Sequence, residues 1–393
     1  MNAEAPILSR LGLRRWIAEV LDCSPELIGD EDSLIELGMS SLMMMRLPVM
    51  LKKAGVSVKL ADMLKDATLG SWVRLVEQGR RCSVEQEPER IIDGQPFALT
   101  DMQRAYWLGR QTVFPLGGIA AHGYLEIHEP KGKFDLPRLE KALNQTILAH
   151  PMLRTVLTPD GQQKVLPEVP WYRIHSRCGT HATAECREEM RAEVLPAETW
   201  PLFNICVSGT DNAPCAYLHI SFDILLLDVA SLALWLNELH GLYTGQQKKA
   251  CISNRQFSQY VAQAEASKEL ASAKRHREWW QARAAQLPLA PQLPFAHQPR
   301  ELTPPVIGRL ASHMQADAWQ SLKSHAARAG VTAAGMFAAI LGETLSRFSR
   351  SPHMTLNLTL FDRAGERAAY DGVLGDFTSM LPVTVRAGAG QTF

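Results

Sequence analysis

Residues 217–231, with the sequence YLHISFDILLLDVAS, place two carboxylates, Asp223 and Asp228, five residues apart in mostly apolar surroundings. Apolar and polar side chains alternate up to Phe222, which predicts a strand. From Leu232 onward the large apolar residues recur at the spacing of one helix face. The segment therefore predicts a strand, a turn and a helix, with both aspartates at the junction.

An ionised carboxylate is costly to bury unless it is paired, hydrogen-bonded or open to a cavity. The residues alone leave two interpretations of this junction. In the first, Asp228 only caps the helix and Asp223 only ends the strand. In the second, at least one carboxylate belongs to a functional site, since residues on loops at strand ends often do.

Composition narrows the class of protein. The chain has 393 residues, 46% of them hydrophobic, which is enough for more than one domain with its own core. Lys plus Arg equal Asp plus Glu at 41 each, so no net charge favours nucleic acid or an anionic membrane. The seven cysteines include no C-x-x-C pair, which argues against a zinc site and a disulfide framework. Without a signal peptide or a membrane-length apolar run, these features predict a cytoplasmic protein that lacks a metal site.

The first 80 residues predict a small bundle of short helices. Apolar residues between Leu13 and Leu21, and again between Leu69 and Val76, follow helical spacing. Between them, the sequence LGMSSL at 37–42 places Ser41 at the start of a further helix. A serine there can simply cap the helix, or it can carry a phosphodiester, whose negative charge is favoured by free N–H groups.

The L-G-x-x-S-L pattern between two helices resembles the phosphopantetheine-bearing carrier domains. The resemblance implies that Ser41 is the attachment residue for 4'-phosphopantetheine and that a phosphopantetheinyl transferase modifies it. The sequence departs from the family at Ser40, where Asp or His is usual. Pro48 lies inside the predicted second helix, which it should kink.

The remainder predicts a linker and a layered α/β domain, because helices alternate with long-range strands. Charged, proline-containing residues 79–96 separate the two parts, and prolines between 288 and 305 mark the passage from one lobe to another. We expect a carrier domain over 1–78, a linker over 79–96, an N-terminal lobe over 97–285, and a crossing segment with a partial C-terminal lobe over 286–393. The predicted elements are a helix capped by Thr100, a helix ending before Pro151, a hairpin over 152–166, one charged helix over 264–287, a helix capped by Thr332 and a strand over 354–361.

Five ordered motifs in this second part resemble the heterocyclisation domains of nonribosomal peptide synthetases. They are FALTxxQxAYxxGR at 97–110, HPML at 150–153 with DGQQ at 160–163, DxxxxDxxS at 223–231, LPxxPxLP at 287–294 and GDFT at 375–378. Such domains are relatives of condensation domains and share their two-lobed, chloramphenicol-acetyltransferase-like fold. Ordinary condensation domains carry HHxxxDG where this chain has the two aspartates and a single upstream histidine, His219.

A carrier followed by a cyclisation domain is similar to the start of aryl-primed siderophore synthetases of the yersiniabactin and pyochelin type. The resemblance implies that Ser41 holds a salicyl or dihydroxybenzoyl thioester, loaded by a separate aryl-adenylating enzyme. The second domain would join this group to a cysteine, or a serine or threonine, held by a downstream aminoacyl carrier with its own adenylation domain. It would then close a thiazoline or oxazoline ring with loss of water.

Within this interpretation the expected site residues are Asp223, Asp228 and Ser231. We expect Asp228 to be structural and paired with Arg363, and Asp223 to face the substrate tunnel, where it either supports the structure or moves a proton. Asp376 and Thr378 of the GDFT motif are further candidates without an assigned role.

Two rival functions stay open at this point. One is a plain condensation domain that forms only the amide, and the other is a non-catalytic carrier and docking module. The later cyclisation motifs, which contain residues thought to drive ring closure, have no counterpart after residue 378. We therefore expect the chain to be a fragment that does not complete cyclodehydration by itself.

Overall fold

The computed structural model divides into two compact units. One contains Met1–Ile92, Cys251–Gln263 and Asp362–Val373, and the other contains Asp93–Ala250, Ala264–Phe361 and Leu374–Phe393. The structure describes residues 8–21, 23–39, 41–44, 46–53, 56, 58, 60–84, 93–114, 116–129, 133–210, 213–250, 253, 255–298, 301–302, 308, 310–361, 363 and 370–386. Ser40 and much of the predicted linker lie outside these residues. The predicted domain boundaries stay predictions.

The carrier region is a bundle of short helices, as predicted. Its helices are α1 (Arg10–Leu21), α2 (Ser41–Met44), α3 (Arg46–Lys53), α4 (Leu60–Lys65) and α5 (Leu69–Val84). Their apolar faces form one buried cluster that includes Ile17, Leu47 and Trp72. The indole N–H of Trp72 donates to the carbonyl of Met63 at 3.1 Å, so the largest buried ring also has its polar atom satisfied.

The described residues of the second region form three sheets. Up to the end of the central sheet its elements are β1 (Pro96–Phe97), α6 (Asp101–Gly109), β2 (His122–His128), α7 (Leu136–Ala149), β3 (Thr155–Leu157), β4 (Gln163–Val165), β5 (His175–Cys178), α8 (Ala182–Arg191), β6 (Phe203–Thr210), β7 (Ala213–Asp223) and α9 (Val229–Thr244). Strand order is β1-β4-β3 in the small sheet and β2-β7-β6-β5 in the central sheet. In the central sheet only β5 and β6 run parallel.

Strand β7 lies between β2 and β6 in the central sheet, and its apolar residues pack in the core. Ile220 and Phe222 are buried on this strand, and Trp235 of α9 lies 5.5 Å from the ring of Phe203 on the neighbouring strand. The indole of Trp235 also donates to the hydroxyl of Thr146 in α7 at 2.9 Å. The strand, turn and helix predicted around the two aspartates are confirmed. The packing of β7 and α9 in the core positions the turn between them.

The remaining elements are α10 (Phe257–Ser267), α11 (Ala271–Ala284), α12 (Ala316–Arg328), α13 (Ala333–Phe348), β8 (His353–Phe361) and β9 (Thr378–Arg386), with β8 and β9 forming an antiparallel pair. The Thr100 and Thr332 caps, the helix before Pro151, the hairpin and the strand at 354–361 are confirmed. The single helix predicted over 264–287 is wrong. The chain tightens into three-residue turns from Lys268 to Leu270, and Leu270 is extended, so α10 ends and α11 begins anew.

Helix α13 lies close to β9 because Gly342 has no side chain. A Cβ at Gly342 would come within 2.7 Å of a methyl of Val385. Large apolar side chains are nevertheless exposed on this helix and sheet: Phe337, Ile340, Leu341, Phe348, Leu358, Leu360, Phe361, Met380, Leu381 and Val383. Among the described residues no single helix is long and apolar enough to cross a membrane, and α12 with α13 meets the criteria of length and composition only as a pair bent by 98°.

Candidate functional site

Asp228 ties the start of α9 to the segment that precedes β9. Its Oδ1 accepts the backbone N–H of Ser231 at 2.6 Å, which caps α9, and its Oδ2 accepts the backbone N–H of Phe377 at 3.1 Å. Its own backbone N–H donates to the carbonyl of Gly375 at 3.1 Å. Because these groups are buried, removing the carboxylate would leave two N–H donors without an acceptor.

Ser231 closes the same junction from the helix side. Its hydroxyl donates to the carbonyl of Gly375 at 2.6 Å and accepts the backbone N–H of Gly375 at 3.0 Å. The second and third polar residues of the DxxxxDxxS motif therefore both hold the GDFT motif, and neither is free to act alone on a substrate. The structural role expected for Asp228 stays a prediction, which these contacts support.

Asp223 has a different environment. It ends β7, is 1% exposed, and forms an ion pair with Arg110. Its Oδ1 also accepts the backbone N–H of Leu225 at 3.0 Å. Burial raises the pKa of the Asp223 carboxyl, and the Arg110 guanidinium opposes that rise. The side chain of Arg110 is held in turn by the carbonyl of Leu195.

Helix α6 supports the turn between the aspartates. Gln103, at the start of the helix, donates from Nε2 to the carbonyl of Leu225 at 2.7 Å, and its amide pairs with that of Gln163. Arg110 caps the other end of α6 and reaches Asp223. Sequence reasoning missed both contacts, although the spacing of seven residues on a helix capped by Thr100 puts Gln103 and Arg110 on one face.

A further carboxyl of the GDFT motif lies at the same junction. Asp376 is fully buried and its Oδ1 accepts the backbone N–H of Thr378 at 3.1 Å. Burial raises the pKa of Asp376 to about 6, and the charge of Asp228 adds to the rise. Burial raises the pKa of the Tyr106 phenol on α6, and the charge of Asp376 adds to the rise.

His219, upstream on β7, belongs to a separate buried network. Its Nε2 lies 2.7 Å from the hydroxyl of Ser208 and its Nδ1 lies 2.6 Å from that of Tyr124. Arg187 holds Glu126 next to Tyr124 through two hydrogen bonds of 2.8 Å. Burial lowers the pKa of His219, so the imidazole is neutral near pH 7. The contacts of this histidine link β7 to both neighbouring strands, β6 and β2.

Arg363 and Ser41 lie in the other compact unit. The Arg363 guanidinium donates from Nη1 to the carbonyls of Tyr370 and Val373 at 3.2 and 2.9 Å. Its pairing with Asp228 stays a prediction. Ser41 is the first residue of α2 and its side chain is outside the described atoms. Among the described residues, no group of three His, Cys, Asp or Glu side chains could hold a metal ion.

Comparison with known proteins places this geometry in a family. Residues 95–393 match the family model of the condensation domain. The chain belongs to the condensation-domain family. Ahead of the condensation domain, residues 12–76 match the phosphopantetheine attachment site, and a domain of that kind carries the 4'-phosphopantetheine prosthetic group. The resemblances to a carrier and to a two-lobed α/β domain, expected from the sequence, are confirmed.

The condensation domain is similar in structure to the EpoB cyclization-docking bidomain of Sorangium cellulosum, with a TM-score of 0.69 and 26% identity over 84% of this chain and 67% of that one. In sequence, 99% of this chain is 31% identical to 28% of pyochelin synthetase PchE of Pseudomonas aeruginosa. Similarly, 97% of it is 29% identical to 33% of phenyloxazoline synthase MbtB of a Mycobacterium species. The chain thus spans a third or less of these two curated relatives.

Proposed function

We propose that this chain is the aryl-carrier and heterocyclisation portion of a nonribosomal peptide synthetase. It would join an aryl acyl group, held as a thioester, to a carrier-bound cysteine, or less readily to a serine or threonine, and close the product to a thiazoline or oxazoline. The observation that carries this proposal is the buried DxxxxDxxS junction, in which Asp228 and Ser231 fasten the GDFT segment while Asp223 is held by Arg110.

The carrier part of the proposal rests on Ser41. Ser41 begins α2, and residues 35–38, shortly before it, are exposed. The family match over 12–76 supports the same residue as the attachment point. When bound, phosphopantetheine supplies a thiol on a flexible arm, which holds the acyl group as a thioester. We assign the carrier to 1–78, the linker to 79–96 and the two lobes to 97–285 and 286–393.

The candidate site residues of the condensation domain have different proposed roles. Asp228 and Ser231 are positioning residues, because their side chains bind the backbone of α9 and of the GDFT segment. Asp223, with its pKa raised by burial and opposed by Arg110, can hold or pass a proton at the end of β7. Arg363 supports the fold by binding the carbonyls of Tyr370 and Val373.

The proposed substrates and partners are supported by the relatives. Their names refer to pyochelin and to a phenyloxazoline, and the neighbouring solved structure is a cyclization bidomain. The partners would be a phosphopantetheinyl transferase, an aryl-adenylating enzyme and a downstream aminoacyl carrier with its adenylation domain. The thiols of Cys23, Cys178, Cys186, Cys206 and Cys215 are free, which supports a location in the reducing cytoplasm.

The test is to load the native polypeptide that contains this sequence with a salicyl or dihydroxybenzoyl group and to add a cysteinyl carrier. Mass spectrometry of the carrier-bound product separates the amide from the ring, which is lighter by one water. We expect the ring. Product that stops at the amide would favour a plain condensation domain, and transfer without any amide would favour a carrier and docking module.

A further inference from the structure

His122 lies directly opposite Asp223 in the central sheet. The two residues are Cα partners where β2 pairs antiparallel with β7, at the end of β7 that carries the candidate site. Directly opposite residues share one face of a sheet, with their Cβ atoms about 4.5–5.5 Å apart. Asp223 is buried and His122 is half-buried. The sheet therefore places an imidazole next to the buried carboxyl.

A hydrogen bond to α8 fixes which nitrogen of the His122 ring carries hydrogen. Nε2 lies 3.2 Å from the carbonyl oxygen of Met190, and a carbonyl oxygen can only accept. Nε2 therefore carries hydrogen, and the lone pair of the neutral imidazole is on Nδ1. A further proton binds at Nδ1 and makes the ring a cation. Histidine is the side chain that ordinarily changes its charge between about pH 5 and 8.

The end of α8 and the segment after it bind both cationic side chains that act on Asp223. Arg110, at the end of α6, forms the ion pair with the carboxylate and is bound by the carbonyl of Leu195. His122 is bound by the carbonyl of Met190 in the same stretch of chain. Backbone carbonyls of one segment thus hold the guanidinium and the imidazole at the same carboxyl.

The charges that act on Asp223 come from α6 and β2. Burial raises the pKa of its carboxyl, and the charge of Arg110 and, to a smaller extent, that of His122 oppose this rise. On the β6 side, Asn204 binds the carboxylate of Glu193 at 3.0 Å. Arg110 is always charged, so the contribution that varies with pH is that of His122.

The other titratable groups on this face of β2 and β7 keep their charge near neutral pH. Tyr124 stays neutral because burial raises the pKa of its phenol. Glu126 stays ionised because its hydrogen bonds with Arg187 of α8 lower the pKa of the carboxyl. Burial lowers the pKa of His219, so this second imidazole is neutral near pH 7. His122 is therefore the neighbour whose proton can change the charge next to Asp223.

We propose that His122 is a positioning residue of the candidate site: its cationic form keeps Asp223 ionised, and paired with Arg110, at an acidity where Arg110 alone would not. His122 acts through Asp223 and not on the substrate. The inference rests on the proposed function, in which Asp223 holds or passes a proton. The coupling of the two side chains can be measured without any reaction.

The first test is a titration of Asp223 in the native polypeptide that contains this sequence, labelled with ¹³C at the aspartate carboxyls. The resonance of Asp223 is the one that disappears in Asp223→Asn. In His122→Gln, which can still donate to the carbonyl of Met190, the midpoint should lie about 1 pH unit higher than in wild type, because a neighbouring cation has been removed.

His128→Gln is the matched control for this titration. It changes an exposed histidine at the other end of β2, opposite Tyr217, and should leave the midpoint of Asp223 where it is in wild type. A midpoint of Asp223 that is the same in His122→Gln as in wild type would overturn the proposal.

The second test uses the unmutated protein, so it does not depend on how the variants fold. In ¹⁵N spectra of the imidazoles, the neutral ring of His122 should carry its hydrogen on Nε2 and take up the further proton on Nδ1. Hydrogen on Nδ1 of the neutral ring would contradict the contact with Met190 and would overturn the proposal.

The third test determines whether the coupling affects the reaction. The acid side of the pH–rate profile for amide formation should move to higher pH in His122→Gln, by the same interval as the midpoint of Asp223, and should not move in His128→Gln. A rate lowered equally at every pH would show a purely structural role and would overturn the proposal. Wild type that forms no amide would refute the proposed function, while the titration would still decide whether His122 and Asp223 are coupled.

Discussion

The carboxylate of Asp228 accepts the backbone N–H of Phe377 at 3.1 Å, across 149 residues of sequence. This bond joins the DxxxxDxxS motif to the GDFT motif. The two motifs are complementary, because the first supplies side-chain acceptors and the second supplies the backbone N–H groups that bind them.

The first prediction concerns the stability of this junction. Asp228→Ala should lower the free energy of unfolding by about 2–4 kcal/mol, because it removes a helix cap and leaves the N–H of Phe377 buried without an acceptor. Asp228→Asn should cost less, since its amide oxygen can still accept the N–H of Ser231. Urea unfolding measures both. Equal losses in the two variants would mean that the hydrogen bond to the N–H of Ser231, which only Asp228→Asn retains, contributes nothing.

The second prediction concerns the buried ion pair of Asp223 and Arg110. Arg110→Met should lower the free energy of unfolding by about 3–5 kcal/mol, because it leaves a buried carboxylate without its cation. Adding Asp223→Asn to this variant should recover much of the loss. A double-mutant cycle by urea unfolding provides the measurement. If the two losses were simply additive, the pairing would have no energetic role.

The third prediction is a pH dependence from His219. Its folded pKa is lowered by burial, so the unfolded chain binds the extra proton below about pH 6.5. Its stabilising contribution is therefore present above that pH and is lost as the pH falls through the lowered folded pKa.

His219→Gln should remove this contribution. The free energy of unfolding of wild type minus that of the variant should decrease between pH 7 and 5, and taking the difference cancels the titration of groups that do not interact with His219. Glu126 and Arg187, the charged groups nearest His219, stay unchanged in the variant. A difference that does not vary with pH would show that His219 does not titrate in this range.

The fourth prediction concerns the carrier. Incubation with coenzyme A and a broad-specificity phosphopantetheinyl transferase should add one phosphopantetheine to wild type and none to Ser41→Ala, as read by intact mass. Ser40→Ala is the matched control, and it should still gain the group. Gain by Ser41→Ala would move the attachment to another residue.

Local patterns in the sequence predict the elements well. The alternation before Asp223, the helical spacing after Asp228 and the caps at Thr100 and Thr332 all appear as expected. These features depend on neighbours in sequence, so they are visible without a structure. The break between α10 and α11 was missed because no Pro or Gly marks it.

The sequence could not predict which residues far apart along the chain form contacts. Arg110 and Asp223 are 113 residues apart, and the amide of Gln103 meets the carbonyl of Leu225 across 122 residues. Such contacts follow from how α6 packs beside the turn, which no local pattern encodes. The burial of Asp376 likewise could be recognised only in the folded chain.

The central claim is tested most directly by the mass of the product on the carrier. The native polypeptide containing this sequence, loaded with an aryl group at Ser41 and supplied with a cysteinyl carrier, should yield a product lighter by one water than the aryl-cysteinyl amide. If wild type released only the uncyclised amide under the same conditions, the assignment as a heterocyclisation domain would be contradicted.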